Sequence, residues 1–130
     1  MFSQPIVMNR GIGAGSITSG RSLNTVSNLL EILEKKKLLY NKKFQIKVRK
    51  RIPVKAGLGG GSMNAASILQ YFSKKGIIKV KEKEIVEISR LVGSDVILGV
   101  NFKNSIINSK GKIKRFNNCK KFYTLIVKPN

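Results

Sequence analysis

The stretch Pro53-Val-Lys-Ala-Gly-Leu-Gly-Gly-Gly-Ser-Met-Asn-Ala-Ala66 places four glycines between two predicted elements of secondary structure. Residues 44–49 alternate apolar and polar side chains, which predicts a half-buried strand. A helix is predicted over residues 63–75, with a buried stripe of Ala65, Ala66, Leu69 and Phe72. Glycines let a backbone adopt positive φ and approach a ligand closely, and the N–H groups at a helix start attract anions. The pattern therefore favours a phosphate-binding loop, with a purely structural tight turn as the alternative.

Two polar side chains strengthen the phosphate interpretation of this loop. Ser62 offers a hydroxyl to a phosphate or to bound Mg²⁺, and Lys55 offers positive charge. The spacing is not that of a Walker A loop, because no Gly-Lys-Ser/Thr follows the first glycines. It is not a complete Gly-x-Gly-x-x-Gly either, because Ser62 stands at the position of the third glycine.

The rest of the chain predicts an α+β fold. Helical periodicity covers residues 24–39 and 81–92, and Glu82 and Glu84 favour the first turn of the second of these helices. The apolar run at residues 96–100 predicts a strand, residues 105–108 and 112–116 a hairpin, and residues 122–127 a last strand. Residues 1–21, rich in Gly, Ser and Thr, are expected to form an irregular leader before a domain over residues 22–130.

The composition excludes several classes of function. The chain has 130 residues and no histidine, which removes Ser-His-Asp triads and the usual zinc sites. Its single cysteine, Cys119, cannot form an intrachain disulfide, and no long apolar stretch or signal peptide is evident. These features predict a cytoplasmic protein that does not span a membrane.

The charge balance is strongly basic, with 26 Lys and Arg against 6 Asp and Glu and a formal net charge of +20. Such a balance is typical of proteins that bind nucleic acids. The lysines, however, are distributed along nearly the whole chain, and the abundance of Lys, Ile and Asn fits an AT-rich genome. A solvated basic surface that binds polyanions without specificity is therefore favoured over a dedicated nucleic-acid-binding module.

Residues 53–66 resemble the phosphate loop of the galactokinase, homoserine, mevalonate and phosphomevalonate kinase superfamily. The triple glycine followed by Ser-x-Asn-Ala-Ala is most similar to one branch, the 4-diphosphocytidyl-2-C-methyl-D-erythritol kinases. Residues 93–96, Gly-Ser-Asp-Val, resemble the Gly-Ala-Asp-Val segment of that branch at a similar distance downstream. Weaker similarities lie at residues 22–30, in the helix before the loop strand, and at residues 109–113, in the hairpin after the aspartate.

The resemblance implies an incomplete N-terminal domain with helices packed on a mixed sheet, and an ATP-dependent kinase of isoprenoid biosynthesis. Such an enzyme transfers the γ-phosphate of ATP to the 2-hydroxyl of its small-molecule substrate, and it uses ATP together with Mg²⁺. Asp95 would accept the hydroxyl proton. The ATP-binding residues would be Pro53, Val54, Lys55, Ala56, Gly57, Leu58, Gly59, Gly60, Gly61, Ser62 and Met63.

The sequence also departs from the family pattern. Met63 stands in place of the second loop serine, Ile97 in place of a usual proline, and neither an N-terminal Pro-x-Lys strand nor the later glycine-rich segment is found. We therefore expect a central fragment without the C-terminal domain and without turnover of its own. The alternatives to an active kinase are a truncated, inactive relative and a basic nucleic-acid-binding module.

Overall fold

The protein is described from a computed structural model that covers residues 6–10, 25–42, 44–48, 57–101 and 103–118 and the single positions 123, 125 and 127. Strands and helices alternate irregularly along the chain, which confirms the α+β class. In chain order the elements are β1 (Ile6–Arg10), α1 (Thr25–Lys35), β2 (Phe44–Val48), α2 (Gly60–Lys74), α3 (Glu82–Val92), α4 (Val96–Val100), β3 (Asn104–Ile107) and β4 (Ile113–Phe116).

The described strands form two antiparallel pairs. β1 pairs with β2, with Ile6 opposite Val48 and Arg10 opposite Phe44. β3 pairs with β4 as the predicted hairpin, and Gly111 has a positive φ of 72° in the turn between them. The parallel pairing that a mixed sheet requires does not occur within the described residues.

The core lies between the helices because each of them presents an apolar face to the others. α2 contributes Ala65, Ala66, Leu69 and Phe72, as its periodicity predicts, together with Ile68. Phe44 of β2 joins this core, with its ring centroid 4.7 Å from that of Phe72. The remaining buried apolar side chains of the core are Val26, Leu29, Leu33, Leu39, Ile78, Ile88, Val92 and Val96.

Helices α1 and α3 run antiparallel. The side-chain amide of Asn28 donates to the carbonyl of Val92 at 3.1 Å, so the start of α1 lies at the end of α3. Further along, the Lys36 ammonium forms an ion pair with Glu87 at 2.8 Å. At the other end of α3, the Glu84 carboxylate accepts a hydrogen bond from the backbone N–H of Lys81, which stabilises the first turn as expected for an acidic residue there.

Two sequence-based predictions are wrong. Residues 6–10 form strand β1 inside the segment expected to be an irregular leader, because their backbone is paired along the whole length of β2. Residues 96–100 form helix α4 and not a strand, because this apolar run packs against α2. The last predicted strand, over residues 122–127, falls mostly outside the described residues.

Candidate functional site

The described part of the glycine-rich loop has the backbone that its glycines allow. Gly57 and Gly59 have φ values of 68° and 66°, in the left-handed region where a Cβ atom is unfavourable. A Cβ atom placed on either glycine would meet no atom of the described protein within 4 Å. Both positions therefore face open space, which suits the approach of a ligand. Residues 53–56, which include Lys55, lie outside the described residues.

The start of α2 presents free backbone donors at the end of this loop. Gly59 precedes the helix without a side-chain capping bond, and the first turn holds no acidic residue. Among the hydrogen bonds of the described residues, the first backbone N–H of this turn with a partner is that of Met63, which donates to the carbonyl of Gly59 at 2.9 Å. The N–H groups of Gly60, Gly61 and Ser62 have no partner inside the helix, because the first turn of any α-helix leaves its donors unpaired. Such donors, together with the helix dipole, are the groups that attract an anion to the start of a helix.

Gly61 serves a different purpose from Gly57 and Gly59. A Cβ atom at Gly61 would lie 2.9 Å from the hydroxyl oxygen of Thr25, the first residue of α1. The starts of α1 and α2 therefore meet at this glycine. The three positions have two roles: two glycines shape the loop, and one lets two helices approach.

Met63 lies at the contact between α2 and α4. A Cβ atom placed on Gly99 of α4 would be 2.9 Å from the Met63 sulfur, so the Met63 side chain packs on α4. Its backbone N–H is already bonded to Gly59. Neither group is therefore placed to contact a phosphate. That Met63 binds ATP stays a prediction, and the structure offers no group of Met63 for it.

Asp95 lies immediately before α4 and is exposed. Its carboxylate does not cap the helix that follows it, and from the described part of the chain it accepts one hydrogen bond, from the Ser94 hydroxyl at 3.0 Å. The carboxylate therefore remains available to a ligand. Because a helix rises about 1.5 Å per residue, Asp95 is only about 6 Å along the chain axis from Gly99, which touches α2 one turn after the loop. The helix that follows Asp95 is thus packed on the helix that follows the glycine-rich loop.

Three residues at this contact were missed by the sequence analysis: Gly99, Gln70 and Arg115. Gly99 lets α4 approach α2, while Gln70 and Arg115 donate hydrogen bonds to backbone carbonyls of α4. Only Arg115 carries a signal in the sequence, since it is one of 6 arginines among 26 basic residues. An arginine in a lysine-rich chain indicates a need for its planar group of donors.

The side chains around Asp95 do not form a metal centre built from protein ligands alone within the described residues. No group of three His, Cys, Asp or Glu within the described residues is arranged to bind a metal. Mg²⁺ commonly uses one or two carboxylates together with substrate phosphates and water. A single carboxylate such as Asp95 is enough for this second arrangement, in which the nucleotide supplies most of the ligands.

Within the described residues, no helix has the length and apolar character needed to cross a membrane.

Comparison with known proteins places residues 24–102 in the family described as GHMP kinases N terminal domain. A 4-diphosphocytidyl-2-C-methyl-D-erythritol kinase of Pelagibacter ubique (strain HTCC1062) is 56% identical over 108 residues, which cover 83% of this chain and 38% of that protein. The enzyme of the same name from Thermotoga maritima is 33% identical over 109 residues, 82% of this chain and 38% of that protein.

A solved structure supports the same fold. The crystal structure of a 4-(cytidine 5'-diphospho)-2C-methyl-D-erythritol kinase superposes with a TM-score of 0.65 at 24% identity, over 85% of this chain and 41% of that one. The chain thus spans well under half the length of these relatives. The family match includes both the glycine-rich loop and Asp95, so the chain belongs to the GHMP kinases and carries their N-terminal domain.

Proposed function

We propose that this chain is the phosphate-loop part of a 4-diphosphocytidyl-2-C-methyl-D-erythritol kinase, an ATP-dependent phosphotransferase of isoprenoid biosynthesis. The names of its relatives supply the substrate, and one structural observation carries the chemistry. That observation is the packing of α4, which begins just after Asp95, against the helix whose free N–H groups form the anion site. A carboxylate and an anion site are the two groups that a phosphoryl transfer to an alcohol requires.

In this proposal the phosphates of ATP accept hydrogen bonds from the N–H groups of Gly60, Gly61 and Ser62. The Ser62 hydroxyl and the Lys55 ammonium add a donor and a positive charge. Bound Mg²⁺ would neutralise charge on the phosphates, and Asp95 is the carboxylate available to it or to the substrate.

Asp95 accepts the proton of the substrate 2-hydroxyl as the hydroxyl oxygen attacks the γ-phosphorus of ATP. The bond between the γ-phosphorus and the β–γ bridging oxygen breaks, so the products are ADP, the phosphorylated substrate and a protonated carboxyl. This reaction requires the hydroxyl oxygen to be within about 3–3.5 Å of the phosphorus. We propose that residues 22–130 form the folding unit that provides these groups, with strand β1 added to it through its pairing with β2.

Calorimetric titration of the chain with Mg·ATP tests the anion site. Gly59→Ala should raise the dissociation constant about tenfold or more, because the new Cβ enters the open space beside the phosphates and the positive φ becomes strained. Gly76→Ala is the matched control: its φ of 63° and its empty surroundings are the same, but it follows the far end of α2. Equal weakening in both variants would mean that backbone strain, and not a phosphate contact, explains the loss.

Phosphate transfer needs a second assay, in which this chain replaces the matching 108 residues of the Pelagibacter relative. Transfer of labelled γ-phosphate should fall by about a hundredfold or more in Asp95→Asn, in the range observed for loss of an acid–base group. The affinity for Mg·ATP should stay within twofold. A chimera that binds ATP without transferring phosphate would favour the inactive relative, and transfer unaffected by Asp95→Asn would remove the assigned role of Asp95.

A further inference from the structure

Helix α4 is too short to be stable by itself. It has five residues, Val96–Val100, whereas isolated helices of fewer than about 12–15 residues are marginal in water. Its first turn begins at Asp95, whose carbonyl accepts a hydrogen bond from the N–H of Leu98 at 3.1 Å. The position of Asp95 therefore depends on whatever holds α4 from outside.

The guanidinium of Arg115 on β4 holds the end of α4. One of its nitrogens donates to the carbonyl of Asn101 at 2.9 Å and the other to the carbonyl of Ile97 at 3.1 Å. These two carbonyls are four residues apart, about one helical turn, so the planar group bridges the second residue of α4 and the residue that follows the helix. A cation at this end also interacts favourably with the helix dipole.

Ser105 directs the guanidinium of Arg115. The two residues lie directly opposite each other in the β3–β4 ladder. The Ser105 hydroxyl accepts a hydrogen bond from Arg115 at 3.3 Å and donates to the carbonyl of Lys103 at 2.8 Å. The hairpin therefore orients Arg115 toward α4.

Gln70 on α2 holds the same end of α4 from the other side. Its side-chain amide donates to the carbonyls of Val100 and Gly99. Gln70 is on the helix that begins at the phosphate loop, so this contact connects the loop helix directly to the helix that follows Asp95.

From these contacts we infer that Arg115 and Gln70 are positioning residues that fix Asp95 relative to the phosphate loop. They bind the carbonyls of Ile97, Gly99, Val100 and Asn101, which extend along α4, and Asp95 immediately precedes this helix. The role of Asp95 as the proton acceptor rests on the proposed function. The hydrogen bonds of Arg115 and Gln70 to α4 are observed independently of that role. The hairpin thus acts on the site through the backbone of α4, without touching the substrate.

The composition of the chain offers a direct measurement, because Asp95 is the single aspartate among its 130 residues. Labelling aspartate with ¹³C at the carboxyl carbon gives one NMR signal, whose change on addition of Mg·ATP reports on the distance between Asp95 and the nucleotide. Hydrogen exchange at the Leu98 amide reports on the position of the Asp95 backbone in the absence of nucleotide.

The main variant is Arg115→Lys, which keeps the charge but cannot span both carbonyls. Arg90→Lys, at an exposed position of α3, is the matched control. Gln70→Met removes the donors of Gln70 at nearly the same length. In Arg115→Lys and Gln70→Met the Mg·ATP dissociation constant should stay within twofold, while the Asp95 signal change falls by half or more. Exchange at Leu98 should accelerate about tenfold, and Arg90→Lys should match the wild type in all three measurements.

The inference would be overturned if the Asp95 NMR signal changed on addition of Mg·ATP as much in both variants as in the wild type, with unchanged hydrogen exchange at Leu98. A general loss of stability would accelerate exchange across α1, α2 and α3 as well, and that result would also count against it. If the wild-type Asp95 signal does not respond to Mg·ATP, the proposed function fails. In that case hydrogen exchange at Leu98 tests the inference by itself. Faster exchange in Arg115→Lys would support the positioning of Asp95 by Arg115, and unchanged exchange would refute it.

Discussion

A Cβ atom on Gly99 of α4 would lie 2.6 Å from the Cβ of Ala66 on α2, closer than two carbon atoms can approach. The two helices therefore touch through a glycine and an alanine, and the Met63 side chain closes the contact beside them. The close packing of α4 on α2 therefore requires a small residue at position 99.

This contact predicts that Gly99→Ala is destabilising. The new methyl group must separate α4 from α2, and overpacking of this kind costs about 1–3 kcal/mol in the free energy of unfolding. Urea denaturation measures the loss. Gly93→Ala is the control, because its φ of 169° suits any residue and its new Cβ would meet Val96 at an ordinary 3.7 Å. Similar losses in both variants would contradict the close packing of Gly99.

The meeting of Gly61 and Thr25 predicts a coupled pair of substitutions. Gly61→Ala alone should change stability little, because the gain of about 1 kcal/mol in helix propensity is offset by displacement of the Thr25 hydroxyl. In a Thr25→Ala chain the same substitution should be more favourable by about 1 kcal/mol. A double-mutant cycle in urea measures this coupling directly. Additive effects would show that the two residues do not constrain each other.

The basic surface predicts polyanion binding without sequence preference. The chain should bind duplex DNA and heparin alike, and the affinity should fall about tenfold or more as salt rises from about 50 to about 200 mM. Lys74→Gln with Lys75→Gln, and Lys110→Gln with Lys112→Gln, should weaken binding to the same extent, because both pairs are exposed. Selective binding of one sequence that survives high salt would instead support a nucleic-acid-binding module.

Turnover by the 130-residue chain alone is predicted to be undetectable. The relatives that it matches are more than twice as long, and the residues of the chain that we assign to the reaction come from only the loop, α2 and Asp95. Met63→Ser should not restore activity, because position 63 faces α4 and not the anion site. Transfer of labelled phosphate from ATP to 4-diphosphocytidyl-2-C-methyl-D-erythritol measures this. Transfer that disappears in Asp95→Asn would show that these residues suffice.

Local sequence patterns predicted the elements that are long or strongly periodic. Helices α1, α2 and α3 and the β3–β4 hairpin were found within a few residues, because an apolar stripe or a turn signal lies within each of them. The glycine-rich loop was recognised because glycines between a strand and a helix have few other uses. The family assignment followed from the same residues together with the segment around Asp95.

The errors occurred where distant residues decide the structure. Val96–Val100 is a short apolar run that periodicity alone cannot assign, and it is helical because Gly99, Gln70 and Arg115 provide its contacts. Ile6–Arg10 has no alternation, and its strand exists through pairing with β2, more than thirty positions away. The role of Met63 was obscure in the sequence for the same reason, since its packing partner Gly99 is on another helix.

The hydrogen bonds from Arg115 to α4 also affect the order in which the site is assembled during protein synthesis. Arg115 follows Ile97, which it binds, by 18 residues. A ribosome therefore releases α2, the loop and Asp95 before it releases the residue that completes the hold on α4. We expect a nascent chain to be able to bind nucleotide while its carboxylate is still unplaced. Asp95 acquires its position only after the hairpin has emerged, so the order of translation separates nucleotide binding from the placement of Asp95 in time.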